Sequence, residues 1–322
     1  MPTDNRLDGS GLTFYHNSTL PAGNNMLHNA DWGYSLVNQR EHTGSVAVDK
    51  YCIDRWYNAG SAAGTVTPSS GSHVALASGT VLAQRMEIIP DALFGKTVTF
   101  AYQDNSDNVY KTTFTFPSSA SGADVTATVG SLSVAIGFIV GTVDLHGVSC
   151  ASVPYLKLTA NSAVNIRRVW LELGKVCHME TTPPVDYATN LLICQRYYNR
   201  LSVVNESIIG FAKVGASAGS NNNCTVTVPL SVRLRKSNPD FNTFTTGDAD
   251  VFFGVNGSTT IGKRPSDTEG SGWESSIDGY KSGGLAPLGV ILYARFLNNF
   301  TSGPGINLVC RAGRVFEFSA DL

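Results

Sequence analysis

The sequence predicts an all-β protein: an antiparallel jelly-roll sandwich, then a second C-terminal β-sandwich domain, with a proline-containing linker and one short helix between them. Three observations lead there. Charged residues are only 15% of the 322-residue chain, while glycine reaches 32 residues and hydrophobics 42%, the balance of a turn-rich β-protein rather than of a disordered chain. Short segments of alternating apolar and polar residues recur between turn signals, so that residues i and i+2 share a face. No long helical pattern separates these segments, which favours antiparallel pairing.

Residues 1–25 carry little periodicity, contain Gly9, Gly11, Pro21 and Gly23, and read as an arm free to bind a neighbour. The jelly-roll is placed at 26–180. Within it, 97–102 puts Val98, Phe100 and Tyr102 on one face, and 110–116 does the same with Tyr110, Phe114 and Phe116. The intervening QDNSDN is a natural hairpin loop. Further strands are expected at 125–129, 132–140, 155–159 and 164–173.

Pro183 and Pro184 stop any strand, since neither can donate to a ladder and each fixes φ. They open a linker assigned to 181–200. After them Tyr187, Leu191, Cys194, Tyr198 and Leu201 recur at four, three, four and three residues, a stripe that fits one amphipathic helix of about four turns. The RYYN at its end fits a strand equally well.

The C-terminal domain, 201–322, returns to β patterning. Cys224, Val226, Val228 and Leu230 alternate with polar residues or proline, as do Val290, Leu292, Ala294 and Phe296. The last eight residues, VFEFSADL, read as a paired strand. Between them, 256–284 holds seven glycines and almost no aliphatic residue, a long loop of the kind that is functional or disordered.

Charge and cysteine usage exclude several functions. A net charge of −2 and a pI near 6.3 supply none of the counterion release that drives nucleic-acid binding. Arg233, Arg235 and Lys236 are a solvated strand face rather than a basic patch. The first residues, MPTDNRLDGSG, have neither a charged n-region nor an apolar h-region, so Sec export is not expected. The longest apolar run, 132–143, is too short to cross a bilayer and is broken by Gly137 and Gly141. The closest two of six cysteines, Cys177 and Cys194, stand seventeen residues apart. With no C-x-x-C pair, neither a zinc knuckle nor a disulfide framework is signalled, and the cysteines are small buried hydrophobes. Five N-x-S/T triplets carry no meaning without secretion.

Motifs for catalysis fail on chemistry. GASAG at 215–219 matches a nucleophile elbow at Ser217, but no helix pattern comes after it. All six histidines (16, 28, 42, 73, 146 and 178) also precede it, so the Ser, acid, His order cannot be completed. The histidines show no metal-ligand spacing. Asp248, Asp250, Asp267, Glu269, Glu274 and Asp278 would serve a glycosidase only if two converged, roughly 5–10 Å apart. Asp104–Asn108 reads as a turn in preference to a calcium loop. No catalytic residue, metal site or cofactor is expected. For binding, the leading candidates are Trp273 and Tyr280, flat rings for the C–H face of a sugar, with Glu274, Asp278 and Lys281 beside them for its hydroxyls. The structural alternative is that Trp273 only pins the loop.

The stretch VWLELGKVCHMETTPPVDYATNLLICQRYYNR, 169–200, resembles the junction of bacteriophage tail-fibre and receptor-binding virion proteins. There the last strand of a carbohydrate-binding-module-like jelly-roll closes on an LELG-like motif, and CQRYY opens the next domain. NNMLHNADWGYSLVNQR at 24–40 and IDRW at 53–56 are similar to the start of that jelly-roll. The resemblance implies that Trp32, Tyr34, Arg55 and Trp56 close its core. It further implies a non-catalytic structural protein of the virion, assembled in the host cytoplasm, that recognises host-surface glycan or protein. A homotrimer and attachment to other virion proteins through the arm go with that expectation. The alternatives are a head-decoration or other accessory virion protein and, less favoured, a polysaccharide-degrading hydrolase.

Overall fold

The computed structural model describes residues 23–69, 71–145, 148–202, 207–215, 221–229, 240–241, 251–255, 261–263, 273–274, 289–297, 306–310 and 315–319, from 201 onward as strand backbone together with the Glu317 side chain. Residues 1–22 of the arm predicted at 1–25, Ser217, and Arg233, Arg235 and Lys236 lie outside the described residues, while Asn25 at the arm's end is bonded to residues 169 and 171. The chain divides into two compact units, with the boundary between Cys194 and Gln195. That division falls inside the stretch 181–200, so the first unit includes 181–194.

The first unit is an antiparallel two-sheet sandwich. Its strands are β1 (Gly44–Val46), β2 (Tyr57–Asn58), β3 (Gly64–Ser69), β4 (His73–Leu76), β5 (Val81–Arg85), β6 (Thr97–Asp104), β7 (Val109–Thr115), β8 (Val125–Val129), β9 (Leu132–Leu145), β10 (Val148–Ala160) and β11 (Val164–Leu173). One sheet has the order β1-β3-β4-β11-β6-β7 and the other β2-β5-β10-β9-β8. The chain passes between sheets at β1–β2, β2–β3, β4–β5, β5–β6, β7–β8 and β10–β11, wrapping one core.

That core follows the alternation read in the sequence. Val98, Phe100 and Tyr102 of β6 meet Val134, Ile136 and Phe138 of β9 and Leu156 and Leu158 of β10 in one buried cluster. Tyr102 keeps its hydroxyl satisfied by accepting the Ser131 N–H at 3.0 Å, as a buried phenol requires. Strands β8 and β11 run over the expected residues, whereas β9 continues past Gly141 because the β10 ladder extends to Leu145↔Val148.

The β11–β6 ladder is irregular at one point. A bulge between Ile166 and Arg168 shifts the phase of β11, since an extra residue moves later side chains to the other face. Ile166, Val169 and Leu171 therefore all join the core. Arg168, Trp170 and Glu172 are turned to the outer face, yet each is at most 5% exposed.

Cys52 is fully buried in the core. Burial pushes its thiol up to about 12, so it is protonated at neutral pH and should be inert. Iodoacetamide at pH 8 is expected to label Cys52 at least ~100-fold more slowly in the native protein than in urea. Equal rates would contradict this packing.

The helix after the prolines, α1 (Tyr187–Gln195), is nine residues long rather than four turns. The Asp186 carboxylate caps it by accepting the Thr189 N–H at 3.0 Å, and bonds from the Thr189 side chain and backbone hold its pKa below the usual range. It stops at Gln195 because the aromatic run beyond it enters β12 (Tyr198–Ser202), where a ladder partner is available. The apolar stripe is also incomplete: Cys194 is buried, but Tyr187 is 53% exposed and the polar Asn190 takes the buried face.

The second unit, also antiparallel, adds β13 (Ser207–Gly215), β14 (Asn221–Pro229), β15 (Asp240–Phe241), β16 (Val251–Val255), β17 (Ile261–Lys263), β18 (Trp273–Glu274), β19 (Gly289–Leu297), β20 (Ile306–Cys310) and β21 (Val315–Ser319). Its sheets run β12-β21-β15 and β17-β16-β20-β13-β14-β19-β18. The predicted rows pair directly, Cys224 opposite Ala294 and Val226 opposite Leu292. The final segment forms β21, which pairs with β12, and the Tyr198 hydroxyl donates to Glu317.

Candidate functional site

Of the segments quoted for the resemblance, 24–40, 53–56 and 169–194 lie in the first unit, and 195–200 in the second. Residues 25–30 lie along β11: Met26 N–H donates to Leu171 C=O at 2.7 Å and Val169 N–H to Ala30 C=O at 2.8 Å. Asn25 adds both edges of its amide, donating to Val169 C=O at 2.9 Å and accepting from Leu171 N–H at 3.0 Å.

Asn29 is the centre of this assembly. Its backbone carbonyl accepts both indole N–H groups, Trp32 at 2.7 Å and Trp56 at 2.9 Å, and the two rings pack edge to face 5.1 Å apart. Its side-chain amide donates to Val37 C=O and Asp54 C=O, both at 2.8 Å, while the side-chain oxygen accepts from Val37 N–H at 2.9 Å and Asn190 Nδ2 at 3.1 Å. Asn29 sits at φ 48°, a left-handed conformation that asparagine tolerates better than most residues. Asn190 also donates to Ser35 C=O at 2.6 Å, which ties α1 to the same point.

Trp32, Arg55 and Trp56 are buried as expected, but Tyr34 is not: it is 44% exposed. It lies in the single helical turn Trp32–Ser35, which turns its aromatic residue outward. The Arg167 guanidinium stacks 4.9 Å from the Tyr34 ring centroid.

A second polar network covers the outer face of β11. Arg168 donates to Asp31 Oδ1 at 2.5 Å, to Met179 C=O at 2.5 Å and to Thr182 C=O at 2.9 Å, with its guanidinium 4.9 Å from the Trp170 ring centroid. Asp31 Oδ2 accepts the Val185 N–H at 2.9 Å. Fully buried Glu172 accepts the His178 N–H at 2.5 Å and shares a bond with His178 Nδ1 at 2.9 Å. Met179 packs against Ala101 and Trp170. The start of the segment read as a linker is thus strapped across the sheet, from residue 178 to 185.

Strap and sheet enclose a cleft of about 490 Å³, lined by Tyr34, Gln103, Asp107 and Val109 on one side and residues 179–184 on the other. Its sheet-side rim is a chain of contacts. Arg167 donates to Asp107 Oδ1 at 2.5 Å, Gln103 Nε2 donates to the same oxygen at 3.1 Å, and the Tyr34 hydroxyl donates to Gln103 Oε1 at 3.4 Å. Gly33 makes room for this rim. A Cβ there would lie 2.8 Å from Ser72 C=O and 2.9 Å from Arg167 Nε. Gly33→Ala is therefore expected to lower the stability of the first unit by about 1–3 kcal/mol in urea denaturation, and an unchanged midpoint would contradict the packing.

The binding residues chosen from the sequence fall in the second unit. Trp273 and Glu274 form β18, an edge strand paired with Phe296 and Arg295 of β19, so this part of the expected loop is a strand. Asp278, Tyr280 and Lys281 lie outside the described residues, as do Asp248, Asp250, Asp267 and Glu269. Among the described residues no three His, Cys, Asp or Glu side chains converge as metal ligands, and no helix is long and apolar enough to cross a membrane. The Asp104 carboxylate is used by its own turn. Burial raises its pKa, but donation from the Asn108 side chain and backbone, Ser106 N–H and Tyr110 together hold it below the usual range.

Sequence reasoning missed Asn29, Asp31, Arg168 and Glu172, and with them the cleft. The available signal was Arg168 and Glu172 on either side of Trp170 at two-residue spacing, two charges on one strand face that must be covered or paired. No family model, no curated protein and no solved structure matches this chain.

Proposed function

We propose that this chain is a structural protein of a bacteriophage virion, of the tail-fibre or receptor-binding type, that recognises host-surface glycan or protein without catalysis. One observation carries the reading. Residues behind the resemblance, spread from Asn25 to Asn190, are held by two neighbouring hydrogen-bond networks, one centred on Asn29 and one in which Arg168 binds Asp31. Buried polar networks of this kind cost free energy unless every member is satisfied, so the motifs act together as the closure of one sandwich. In this reading the chain assembles as a homotrimer, its arm contacts other virion proteins, and three weak sites secure the host surface by avidity.

Adsorption of the purified protein to host cells is the test. Wild type is expected to adsorb, and Trp273→Ala with Tyr280→Ala to reduce adsorption while releasing no reducing ends from surface polysaccharide. Undiminished adsorption by the double variant would remove the C-terminal loop from recognition. Absence of adsorption by wild type would favour a head-decoration role, and reproducible release of reducing ends would overturn the non-enzymatic reading.

A further inference from the structure

We infer that the cleft between the sheet face and residues 179–184 is a saccharide-binding site of the first unit, for an uncharged pyranose. Its assignment rests on the glycan-recognition reading and adds a site that the reading does not contain.

Tyr34 is a fixed, exposed ring at the cleft. A large aromatic residue that is 44% exposed is ordinarily free to move, but this one is held on two sides. Arg167 stacks on the ring at 4.9 Å and the hydroxyl reaches Gln103. A ring fixed in place and open to a cleft offers a flat apolar surface to the C–H face of a sugar, with little ordering left to be lost on binding.

Polar groups stand beside the ring. Sugar hydroxyls need acceptors and donors at fixed angles, and the rim sets a carboxylate beside a planar amide, Asp107 and Gln103, 3.1 Å apart. The Asp107 side chain is 63% exposed, and its second oxygen is bound by neither Gln103 nor Arg167, both of which use Oδ1. Thr181 and Thr182 contribute hydroxyl-bearing side chains from the opposite wall.

Charge narrows the ligand class. Arg167 is neutralised by Asp107 and Arg168 by Asp31, which leaves Glu180 as the unbalanced charge of the lining. An anionic sugar or a phosphate meets no spare cation here. The volume of about 490 Å³ lies within the roughly 300–1,000 Å³ of small-ligand sites.

Saturation-transfer NMR on the full chain tests this, with the methyl glycosides of glucose, galactose, N-acetylglucosamine and N-acetylgalactosamine as probes. At least one is expected to receive saturation on its ring C–H protons. Tyr34→Ala should lower the signal about 5–10-fold, from loss of an aromatic contact. Asp107→Asn should lower it too, while Tyr34→Phe should retain most of it. These positions are exposed, so unchanged thermal melting identifies folded variants. Saturation that survives both Tyr34→Ala and Asp107→Asn overturns the site, as does its absence from all four probes with wild type. Loss only in the Trp273→Ala, Tyr280→Ala variant overturns it too, while leaving the host-recognition reading intact. Wild-type protein that adsorbs to no host cells but loses glycoside saturation on Tyr34→Ala upholds the cleft and removes that reading.

Discussion

Replacing Arg168 with leucine is expected to lower the stability of the first unit by about 3–5 kcal/mol, the range for removing one partner of a buried ion pair. Asp31 would keep the Val185 N–H but lose its only cation among the described contacts, with its side chain 5% exposed. The carbonyls of Met179 and Thr182 would lose their donor in the same step. Much of the loss is the penalty for an uncompensated charge rather than the intrinsic strength of the pair. Arg168→Leu combined with Asp31→Leu should therefore be more stable than Arg168→Leu alone, in a double-mutant cycle read by urea denaturation. Limited proteolysis of the single variant should open the strap at 178–185. A loss under about 1 kcal/mol for Arg168→Leu would mean that the strap is held by other contacts.

Asn29→Ala is the second large effect, about 3–5 kcal/mol. It leaves Val37 C=O, Asp54 C=O and Val37 N–H without their side-chain partner, and a buried polar group so abandoned costs about 1–3 kcal/mol. It also places alanine at φ 48°. Asn29→Gly separates the two causes, because glycine accepts that conformation but makes none of the bonds. Glycine should recover only about 1 kcal/mol of the loss. If Asn29→Gly matched wild type in denaturation midpoint, the amide network would be energetically idle.

Much of the sandwich was legible because alternation reports one buried face directly. Val98, Phe100 and Tyr102 obeyed it, and β8 and β11 ran over the residues expected. Strands β1, β2 and β4 were not legible: they are three, two and four residues long, too short to establish a period, and β5 has three consecutive buried residues and so no alternation. The bulge at Ile166–Arg168 was hidden for a related reason, since a single extra residue has no compositional mark yet reverses which side chains reach the core. The helix was read too long because a four-three spacing is satisfied by Tyr198 and Leu201 whether or not they are helical, and β21 supplies the competing ladder. Periodicity also assigned an apolar residue to the face that Asn190 occupies, because hydrogen-bonded partners distant in sequence leave no periodic trace.

The candidate sites divide along the same line. Trp273 and Tyr280 stood out by composition, as rings in a region poor in other apolar residues. The cleft at Tyr34 and Asp107 is assembled from four separate segments, residues 34, 103–109, 168 and 179–184, and only the fold brings them together. Tyr34 was assigned to the core with its neighbours Trp32 and Trp56 because the motif was treated as one structural block. A single helical turn is enough to bury Trp32 and expose Tyr34 two residues later.

We propose that this sandwich serves at the host-facing part of a phage particle. Immunogold labelling of intact, purified virions with antibody raised against the first unit tests it most directly. Gold is expected at the end of the tail or along its fibres. Label distributed over the capsid surface, or virions that carry none, would contradict it.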